Sequence, residues 1–259
     1  MIGDRLVELA AATPVAAMAG AAELGEYRLS EVELLCPTPE PPSIRDFLSF
    51  EEHVRNARRH RGESVPPEWY EVPVFYFSNT ASIYGPDDAI PYPQGSAALD
   101  YELEVAGVIG HDGQIGAFTI MNDWSARDLQ QKEMKVGLGP AKGKDFASSF
   151  GPCLVTVDEF DGASAVMTAR VNGEERSRGQ LGDMYRPWSE VIRHAARNTR
   201  LRAGDMIGSG TVATGCILEH GDRRWLAPGD LVELEVEGLG VLRNRVALGV
   251  SRGGDREGS

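Results

Sequence analysis

The pattern of hydrophobic and polar positions changes along the chain at about Pro73. Before this point it predicts an alanine-rich helix in residues 1–20, a break at "TPEPPS", and an amphipathic helix that Asp46 opens as its N-cap. Further on, short apolar runs are separated by Gly and Pro, and helical periodicity returns only at residues 126–134 and 188–199. Many strands with few intervening helices predict a β-rich α+β fold rather than a doubly wound sheet.

Two glutamates interrupt an otherwise apolar strand in the stretch "LDYELEVAGVIG", Leu99 to Gly110. Because side chains alternate along a strand, Asp100, Glu102 and Glu104 share one face. The apolar run that follows predicts burial on both faces, so carboxylates this close together would need a positive partner. An edge strand with a solvated acidic face explains the same pattern, and the strand alone does not decide between the two.

Further candidates for chemistry lie at the ends of the predicted elements. Asp123 follows the apolar run "IGAFTIM" at a strand end, where ligands are often bound, although alone it is better explained as the N-cap of the next helix. On the first helix, Asp46 and His53 are about two turns apart and would project to one side, which leaves open a shared site or a purely structural histidine. Lys144, in "GLGPAKGKDF", is either solvated or a fixed positive charge inside a pocket.

Together the acids form an all-oxygen set of possible metal ligands: Asp46, Glu102, Glu104 and Asp123. Such a set suits a hard cation, so we expect Mg²⁺ or Ca²⁺, with Mn²⁺ also compatible, and not zinc. The three cysteines are far apart in the chain, which predicts neither a disulfide framework nor a zinc site and fits a reducing cytoplasm.

Composition narrows the classes of function. The chain of 259 residues has a net charge of −13, so nucleic acid and anionic membranes are not expected partners, with "RNARRHRG" as a local exception. No apolar run approaches the roughly 18 residues of a transmembrane helix. The stretch around Lys144 misses the P-loop spacing, and the chain contains no GxGxxG or GxSxG motif, so neither a nucleotide cofactor nor a serine hydrolase is expected.

Five stretches, in their order along the chain, resemble the fumarylacetoacetate hydrolase family: "RDFLSFEEH", which looks like the segment with its catalytic histidine, "DYELEV", "MNDWSARDLQ", "LGPAKGKDF" and "GDMIGSGT". The resemblance covers about Ile44 to Leu248. It implies a fold of stacked mixed sheets, a β-sandwich roll with short flanking helices, that usually assembles as a homodimer. We expect residues 1–70 to form an N-terminal helical and loop segment, residues 71–250 the catalytic domain, and residues 251–259 a disordered tail.

The resemblance also implies roles for individual residues. It makes His53 the general base, Glu219 the carboxylate that orients it, and Lys144 a catalytic positive charge. The metal ligands that it implies are Asp46, Glu102, Glu104 and Asp123, and the substrate-binding residues are Arg127, Gln130, Tyr76 and Thr211.

The implied activity is cleavage of a carbon–carbon bond in a β-diketo acid, fumarylacetoacetate or a related acylpyruvate, by water that His53 activates beside a divalent cation. The alternative in the same family is decarboxylation of an oxaloacetate-type acid, or isomerisation or lysis of a 2-keto acid. A third interpretation is a binding protein without turnover. Leu48 and Met134 stand where the family tends to carry tyrosines that contact substrate, so an arginine of residues 58–61 could supply that contact.

Overall fold

The computed structural model describes residues 5–18, 20–59 and 62–248, which form sixteen β-strands and five short α-helices. The strands are β1 (Arg5–Leu9), β2 (Glu23–Arg28), β3 (Ile44–Phe47), β4 (Phe75–Ser78), β5 (Ile83–Tyr84), β6 (Ala89–Ile90), β7 (Leu99–Asp100), β8 (Leu103–Ile109), β9 (Ile115–Asp123), β10 (Ser125–Ala126), β11 (Ser148–Thr156), β12 (Val166–Val171), β13 (Glu174–Gln180), β14 (Met206–Gly208), β15 (Leu231–Val236) and β16 (Gly240–Val246). The helices are α1 (Pro14–Ala17), α2 (Glu51–Arg59), α3 (Pro67–Glu71), α4 (Arg127–Met134) and α5 (Trp188–Ala195). Single 3₁₀ turns lie at Leu29–Glu31, Leu181–Asp183 and Ile217–Glu219.

Two large mixed sheets carry most of the strands. The first has seven strands in the order β4-β3-β14-β8-β9-β11-β5, and the second has five in the order β13-β12-β15-β16-β6. Most neighbouring strands are antiparallel, while β14 with β3, β11 with β5 and β16 with β6 are parallel. Two small ladders, β1 with β2 and β7 with β10, lie outside these sheets.

The main hydrophobic core lies between the two large sheets. Leu103 on β8 and Ile120 on β9 belong to the same packed cluster as Met167 on β12 and Leu234 on β15. All of β8 is buried, because β14 and β9 pair with its two edges while side chains cover both its faces. The predicted β-rich fold of stacked mixed sheets with short helices is confirmed. None of the described helices combines the length and apolarity needed to cross a membrane.

The alanine-rich helix predicted for residues 1–20 is wrong for the part of this segment that the structure describes. Residues 5–9 form β1, which pairs with β2, and the short α1 begins only at Pro14, with Thr13 as its cap. Proline favours the first turn of a helix and pushes the residue before it into an extended conformation, so a helix does not run through this point. The residues that pair with β2, Arg5–Leu9, contain none of the alanines on which the helix prediction rested.

Asp46 does not open a helix, and that prediction is also wrong. It lies in β3, whose four residues are all buried and which pairs with β4 on one edge and β14 on the other, so the sheet outweighs helical periodicity. Helix α2 begins at Glu51, and Asp46 and His53 therefore lie on different elements. The domain division expected at residue 70 stays a prediction. Strand β3 precedes that residue and belongs to the first sheet. The tail expected at residues 251–259 lies outside the described residues.

Candidate metal and acid–base site

Four carboxylates from three strands of the first sheet meet at one end of that sheet. They belong to Asp46 on β3, Glu104 on β8, Asp123 at the end of β9, and Glu102 just before β8. One oxygen of each lies within 4.8 Å of the others, and none of these residues is more than 7% exposed. Because β8 is a central strand, the solvated acidic edge is wrong. The N-cap role for Asp123 is wrong too, since the cap of α4 is Ala126.

The register between strands brings these carboxylates together. Gly208 on β14 pairs with Asp46 on one side and with β8 on the other, and a Cβ atom at this position would overlap Asp46 Oδ1. On the other side of β8, Glu104 pairs with Met121, which shares a face of β9 with Asp123 two residues later. A glycine between β3 and β8 thus leaves the space that the cluster needs.

Two buried cations lie against Glu102 and supply the positive partner that the strand pattern requires. Lys144 Nζ donates to Glu102 Oε2 and, at 2.5 Å, to Asp123 Oδ2, while Arg127 donates to Glu102 Oε1 at 2.7 Å. Burial raises the pKa of Glu102, but the charges of Arg127 and Lys144 outweigh it, so the pKa lies below its ordinary value. Lys144 is 4% exposed, so the solvated alternative is wrong. Burial lowers its pKa, but Asp123 and Glu102 raise it above the ordinary value, and the ammonium stays charged.

Other oxygens of the cluster lack such partners among the described residues. Three buried oxygens, Asp46 Oδ1, Glu104 Oε2 and Asp123 Oδ1, have no hydrogen-bond partner among the described residues. Burial raises the pKa of Asp46 well above its ordinary value, and the charge of Asp123 adds to this; burial and the charge of Asp46 do the same to Glu104. Unpaired carboxylate oxygens, in a set without nitrogen or sulfur donors, fit a hard divalent cation such as Mg²⁺, Mn²⁺ or Ca²⁺.

His53 on α2 forms a hydrogen-bonded pair with Glu219, from the 3₁₀ turn at residues 217–219. The distance from Nδ1 to Oε1 is 2.7 Å, and both side chains are at least 93% buried. Asn56 Nδ2 and the backbone N–H of Thr214 donate to the other oxygen of Glu219, each at 2.9 Å. A carboxylate at Nδ1 favours the tautomer with its proton there, which leaves Nε2 of His53 as the acceptor.

Asp100 connects the acidic cluster with the turn that carries Glu219, a role that alternation along its strand did not predict. It accepts a hydrogen bond from Arg127 Nε at 2.7 Å. Its oxygens also accept from the backbone N–H groups of Ile217 and Leu218, at 2.7 and 3.0 Å. Asp100 is fully buried, so this single carboxylate holds both the Arg127 side chain and the turn at residues 217–219 in place.

Three residues of the acidic cluster, Asp46, Glu102 and Glu104, line one cavity of about 1210 Å³ together with His53. The residues expected to bind substrate all line it: Arg127, Gln130, Tyr76 and Thr211. Tyr76 and Thr211 donate hydrogen bonds to carboxylates of the cluster, at 2.6 and 3.1 Å. Arg127 donates to Gln130 Oε1 at 3.1 Å, which leaves the amide NH₂ group of Gln130 to donate elsewhere.

The residues at which the sequence departs from the family pattern line this cavity. Leu48 and Met134 both line it, and so does Arg58, whose guanidinium donates to Glu63 at 2.9 Å. One arginine of the basic stretch therefore lies where a substrate contact was expected, whereas Arg61 lies outside the described residues.

Sequence reasoning missed two residues that shape the site, Asn56 and Gly208. Asn56 follows His53 by three positions on α2, a spacing that places both on one side of a helix and that could have signalled a common partner. Gly208 lies within the quoted stretch "GDMIGSGT", but its close approach to Asp46 depends on the pairing of β14 with β3.

Comparison with known proteins places the chain among enzymes of one family. The profile of the fumarylacetoacetate (FAA) hydrolase C-terminal family matches residues 43–247. Oxaloacetate tautomerase YisK of Bacillus subtilis is 29% identical over 238 residues, which span 86% of this chain and 77% of that protein. The human mitochondrial oxaloacetate tautomerase is 30% identical over 244 residues, which span 90% of this chain and 75% of that protein. The crystal structure of 5-carboxymethyl-2-hydroxymuconate delta-isomerase from Mycobacterium smegmatis has a TM-score of 0.76 at 26% identity, covering 96% of this chain and 93% of that one.

Proposed function

Because the chain belongs to the fumarylacetoacetate hydrolase family, we propose that it is a divalent-metal-dependent tautomerase of oxaloacetate or of a similar 2-keto dicarboxylic acid. The names of the two tautomerases and of the isomerase above support this choice over the hydrolase first expected. The observation that carries it is the cavity into which carboxylates of the acidic cluster and His53 both open, with His53 bound to Glu219 on its other side. Keto–enol chemistry needs both parts, an electrophile at the keto oxygen and a base at the neighbouring carbon.

The proton transfer is assigned to His53. A cation held by Asp46, Glu102, Glu104 and Asp123 would polarise the keto group and stabilise the negative charge that develops on its oxygen. His53 takes a proton from the carbon next to that group through Nε2, because its Nδ1 is bound to Glu219. Glu219 stabilises the ring while it carries the second proton, and delivery of this proton to the substrate oxygen completes the tautomerisation.

Three further residues hold the substrate and the site. Lys144 keeps its charge beside Glu102 and Asp123 and adds a fixed positive charge at the wall of the cavity. Arg127 directs all three of its nitrogens toward protein acceptors, so we assign it to holding the site rather than the substrate. Gln130, with its amide NH₂ group available, is assigned to a substrate carboxylate.

A second candidate is the hydrolysis of a carbon–carbon bond in a β-diketo acid such as fumarylacetoacetate or an acylpyruvate. The cavity of about 1210 Å³ favours it, because pockets for small ligands usually measure about 300–1,000 Å³ and a four-carbon acid would fill little of this one. The apolar side chains of Leu48 and Met134 suit a longer acyl group. In this reaction His53 would take its proton from a water molecule that attacks the keto carbon.

A substrate panel separates the two candidates. The protein with Mg²⁺, Mn²⁺ or Ca²⁺ is mixed with oxaloacetate, fumarylacetoacetate, fumarylpyruvate or acetylpyruvate, while enol absorbance is followed and products are separated. We expect rapid interconversion of the oxaloacetate tautomers without release of carbon dioxide. His53→Gln should abolish it, and His111→Gln, on an exposed turn, is the matched control. Cleavage of a diketo acid without any effect on oxaloacetate would select the hydrolase instead.

A further inference from the structure

A second cavity, of about 390 Å³, lies behind the strands that carry part of the acidic cluster. Its lining includes Arg45 of β3, Phe75 and Phe77 of β4, and His194, Arg197 and Asn198 from the end of α5 and the residues that follow it. It uses none of the carboxylates of the acidic cluster.

The two cavities lie back to back across β3 and β4. In the register of these strands Asp46 pairs with Tyr76, and both side chains face the acidic cluster. The neighbouring pair, Arg45 and Phe77, therefore faces the other way. Phe75 and Phe77 stand at the edge of the sheet and contribute to the walls of both cavities, whereas Arg45, His194 and Arg197 line only the second.

The second cavity is positively charged in a chain whose net charge is −13. The stretch "RHAARNTRLR", residues 193–202, contains four arginines and a histidine without any acid. No Asp or Glu occurs among the described residues that line the cavity, and no carboxylate of the described chain pairs with the exposed Arg197. Such a local excess of positive charge attracts anions that the rest of the surface repels.

A buried guanidinium adds a fixed cation to this wall. Arg45 is 6% exposed; its NH1 group donates to Ser43 Oγ at 2.5 Å and lies 3.6 Å from an oxygen of Asp205. The described residues accept no hydrogen bond from the other nitrogens of this guanidinium, which lines the cavity. An arginine held in this way presents a planar pair of donors that matches a carboxylate.

Aromatic rings complete the wall. The guanidinium of Arg45 lies 5.1 Å from the centre of the Phe77 ring. The ring of Phe75 lies edge-on to that of Phe77 at 5.3 Å and to that of His194 at 6.1 Å. Rings arranged in this way favour a flat ligand that can stack on one of them.

We propose that this second cavity is a binding site for a small planar carboxylate, an aromatic or conjugated acid of about the size of benzoate. The carboxylate would pair with Arg45 and Arg197, and the planar group would pack on Phe75 and Phe77. The volume lies within the usual range for small-ligand pockets. This assignment rests on residues apart from the acidic cluster and His53, so it does not depend on the proposed tautomerase activity.

Titration of the Mg²⁺-loaded protein with benzoate, followed by calorimetry and ligand-observed NMR, tests the proposal. We expect one saturable benzoate site per chain and weaker binding of cyclohexanecarboxylate, which lacks a planar ring. Arg197→Gln should weaken benzoate binding by about three- to fivefold, the upper part of the usual range for an exposed ion pair. Because Arg197 is exposed and pairs with no carboxylate in the described part of the chain, this variant is expected to fold.

Two matched arginine variants locate the bound anion. Arg200→Gln removes a charge from the same basic segment outside the cavity, and Arg58→Gln removes one from the large cavity. Both should leave benzoate affinity within about twofold. Equal weakening by Arg197→Gln and Arg200→Gln would mean nonspecific attraction, and a larger loss with Arg58→Gln would place benzoate in the large cavity. Either result overturns the proposal, and so does the absence of saturable binding.

A second copy of the chain is the remaining occupant to test, because Phe77 is 64% exposed. Sedimentation of the native chain and of Phe77→Ala is compared at the concentration used for the titration. We expect the same sedimentation coefficient for both proteins. A change of oligomeric state in Phe77→Ala would show that another protomer covers this face, and the ligand proposal would fail.

Discussion

The acidic cluster has two halves, Glu102 on one side and Asp46 with Glu104 on the other. Both are buried, but only the first has cationic side chains beside it. Glu102 lies between Arg127 and Lys144, and these charges outweigh burial, so its pKa lies below the ordinary value. Asp46 and Glu104 form no such ion pairs with the residues that the structure describes, and burial raises the pKa of each well above the ordinary value. The comparison indicates that the chain supplies the balancing charge for one half, while the other half is suited to a charge that comes from a ligand.

Glu102→Gln is expected to have the largest effect, because it breaks the balanced half. Lys144 and Arg127 would both lose a buried partner, and breaking one buried ion pair typically costs about 3–5 kcal/mol of unfolding free energy. A divalent cation would lose a ligand at the same time. Denaturant unfolding measures the first effect, and metal analysis after dialysis measures the second together with activity. Unchanged metal content would remove Glu102 from the ligand set.

His53→Gln should impair proton transfer by the His53–Glu219 pair without changing metal binding by the acidic cluster. We expect kcat to fall by about 10²- to 10⁴-fold, the usual contribution of a general base, while the affinity for Mn²⁺ stays within about twofold. Steady-state kinetics and a metal titration of the same preparation measure the two quantities. A parallel loss of Mn²⁺ affinity would mean that His53 belongs to the metal site.

Asp100→Asn should affect the connection between the balanced half and the turn that carries Glu219. The amide keeps one acceptor for the backbone but loses the charge that Arg127 meets, so we expect a loss of about 1–3 kcal/mol in unfolding free energy and a lower kcat. Asp112→Asn, on the exposed turn between β8 and β9, is the control. Equal stability of the two variants would show that Asp100 holds neither group.

Asp46→Asn should change stability with opposite signs in the metal-free and metal-bound protein. Without a cation, the substitution removes the cost that burial and the neighbouring carboxylate of Asp123 place on the charged form of Asp46, so we expect the metal-free variant to be more stable than the native chain at neutral pH. With Mn²⁺ present, the variant loses a ligand and should gain less stability from the ion than the native chain does. Thermal unfolding with and without Mn²⁺ measures both. A loss of stability in the metal-free variant would contradict the conclusion that the charge of Asp46 is unfavourable without a bound cation.

The gain from Asp46→Asn should itself depend on pH. The pKa of Asp46 is raised in the folded chain, so below its unfolded value of about 4 the carboxyl is protonated in both states and costs nothing. As pH rises toward the folded pKa, the unfolded state gives up its proton first and the native chain loses stability. The difference between variant and native chain should therefore grow as pH rises from about 4 toward the folded pKa of Asp46 in the metal-free protein, and level off above that pKa. A constant difference across this range would refute the raised pKa.

Much of the site could be predicted because its signals are local. Period-two alternation and apolar runs marked the stretches that contain Glu102, Glu104 and Asp123, and the structure has β8 and β9 there, with Glu102 just before β8. Asp46 entered the expected ligand set as an acid on the same predicted helix as His53, and the structure brings it into the same cluster although it lies in a strand. Its position in a strand could not be predicted from the segment, which has helical periodicity, because pairing with β4 and β14 decides it.

Other features depend on contacts between distant parts of the chain and have no local signal. The link from Asp100 to the turn before Glu219 joins residues more than a hundred positions apart. The basic stretch at residues 193–202 forms the wall of a cavity only because Arg45 and Phe77 lie against it in the folded chain. Sequence patterns describe which residues are charged, and the topology of the sheets determines which of them meet.

The acidic cluster is expected to bind one divalent cation, with the buried oxygens that lack a partner among the described residues as ligands: Asp46 Oδ1, Glu104 Oε2 and Asp123 Oδ1. Calorimetric titration of the metal-free protein with Mn²⁺ tests it most directly, with the native chain compared to Glu104→Gln. Because the loss of even an outer-shell partner of a metal ligand typically costs about 10- to 100-fold in affinity, we predict one Mn²⁺ per native chain and at least about tenfold weaker binding to the variant. Equal Mn²⁺ affinity in the two proteins, or no saturable binding to the native chain, would contradict the claim.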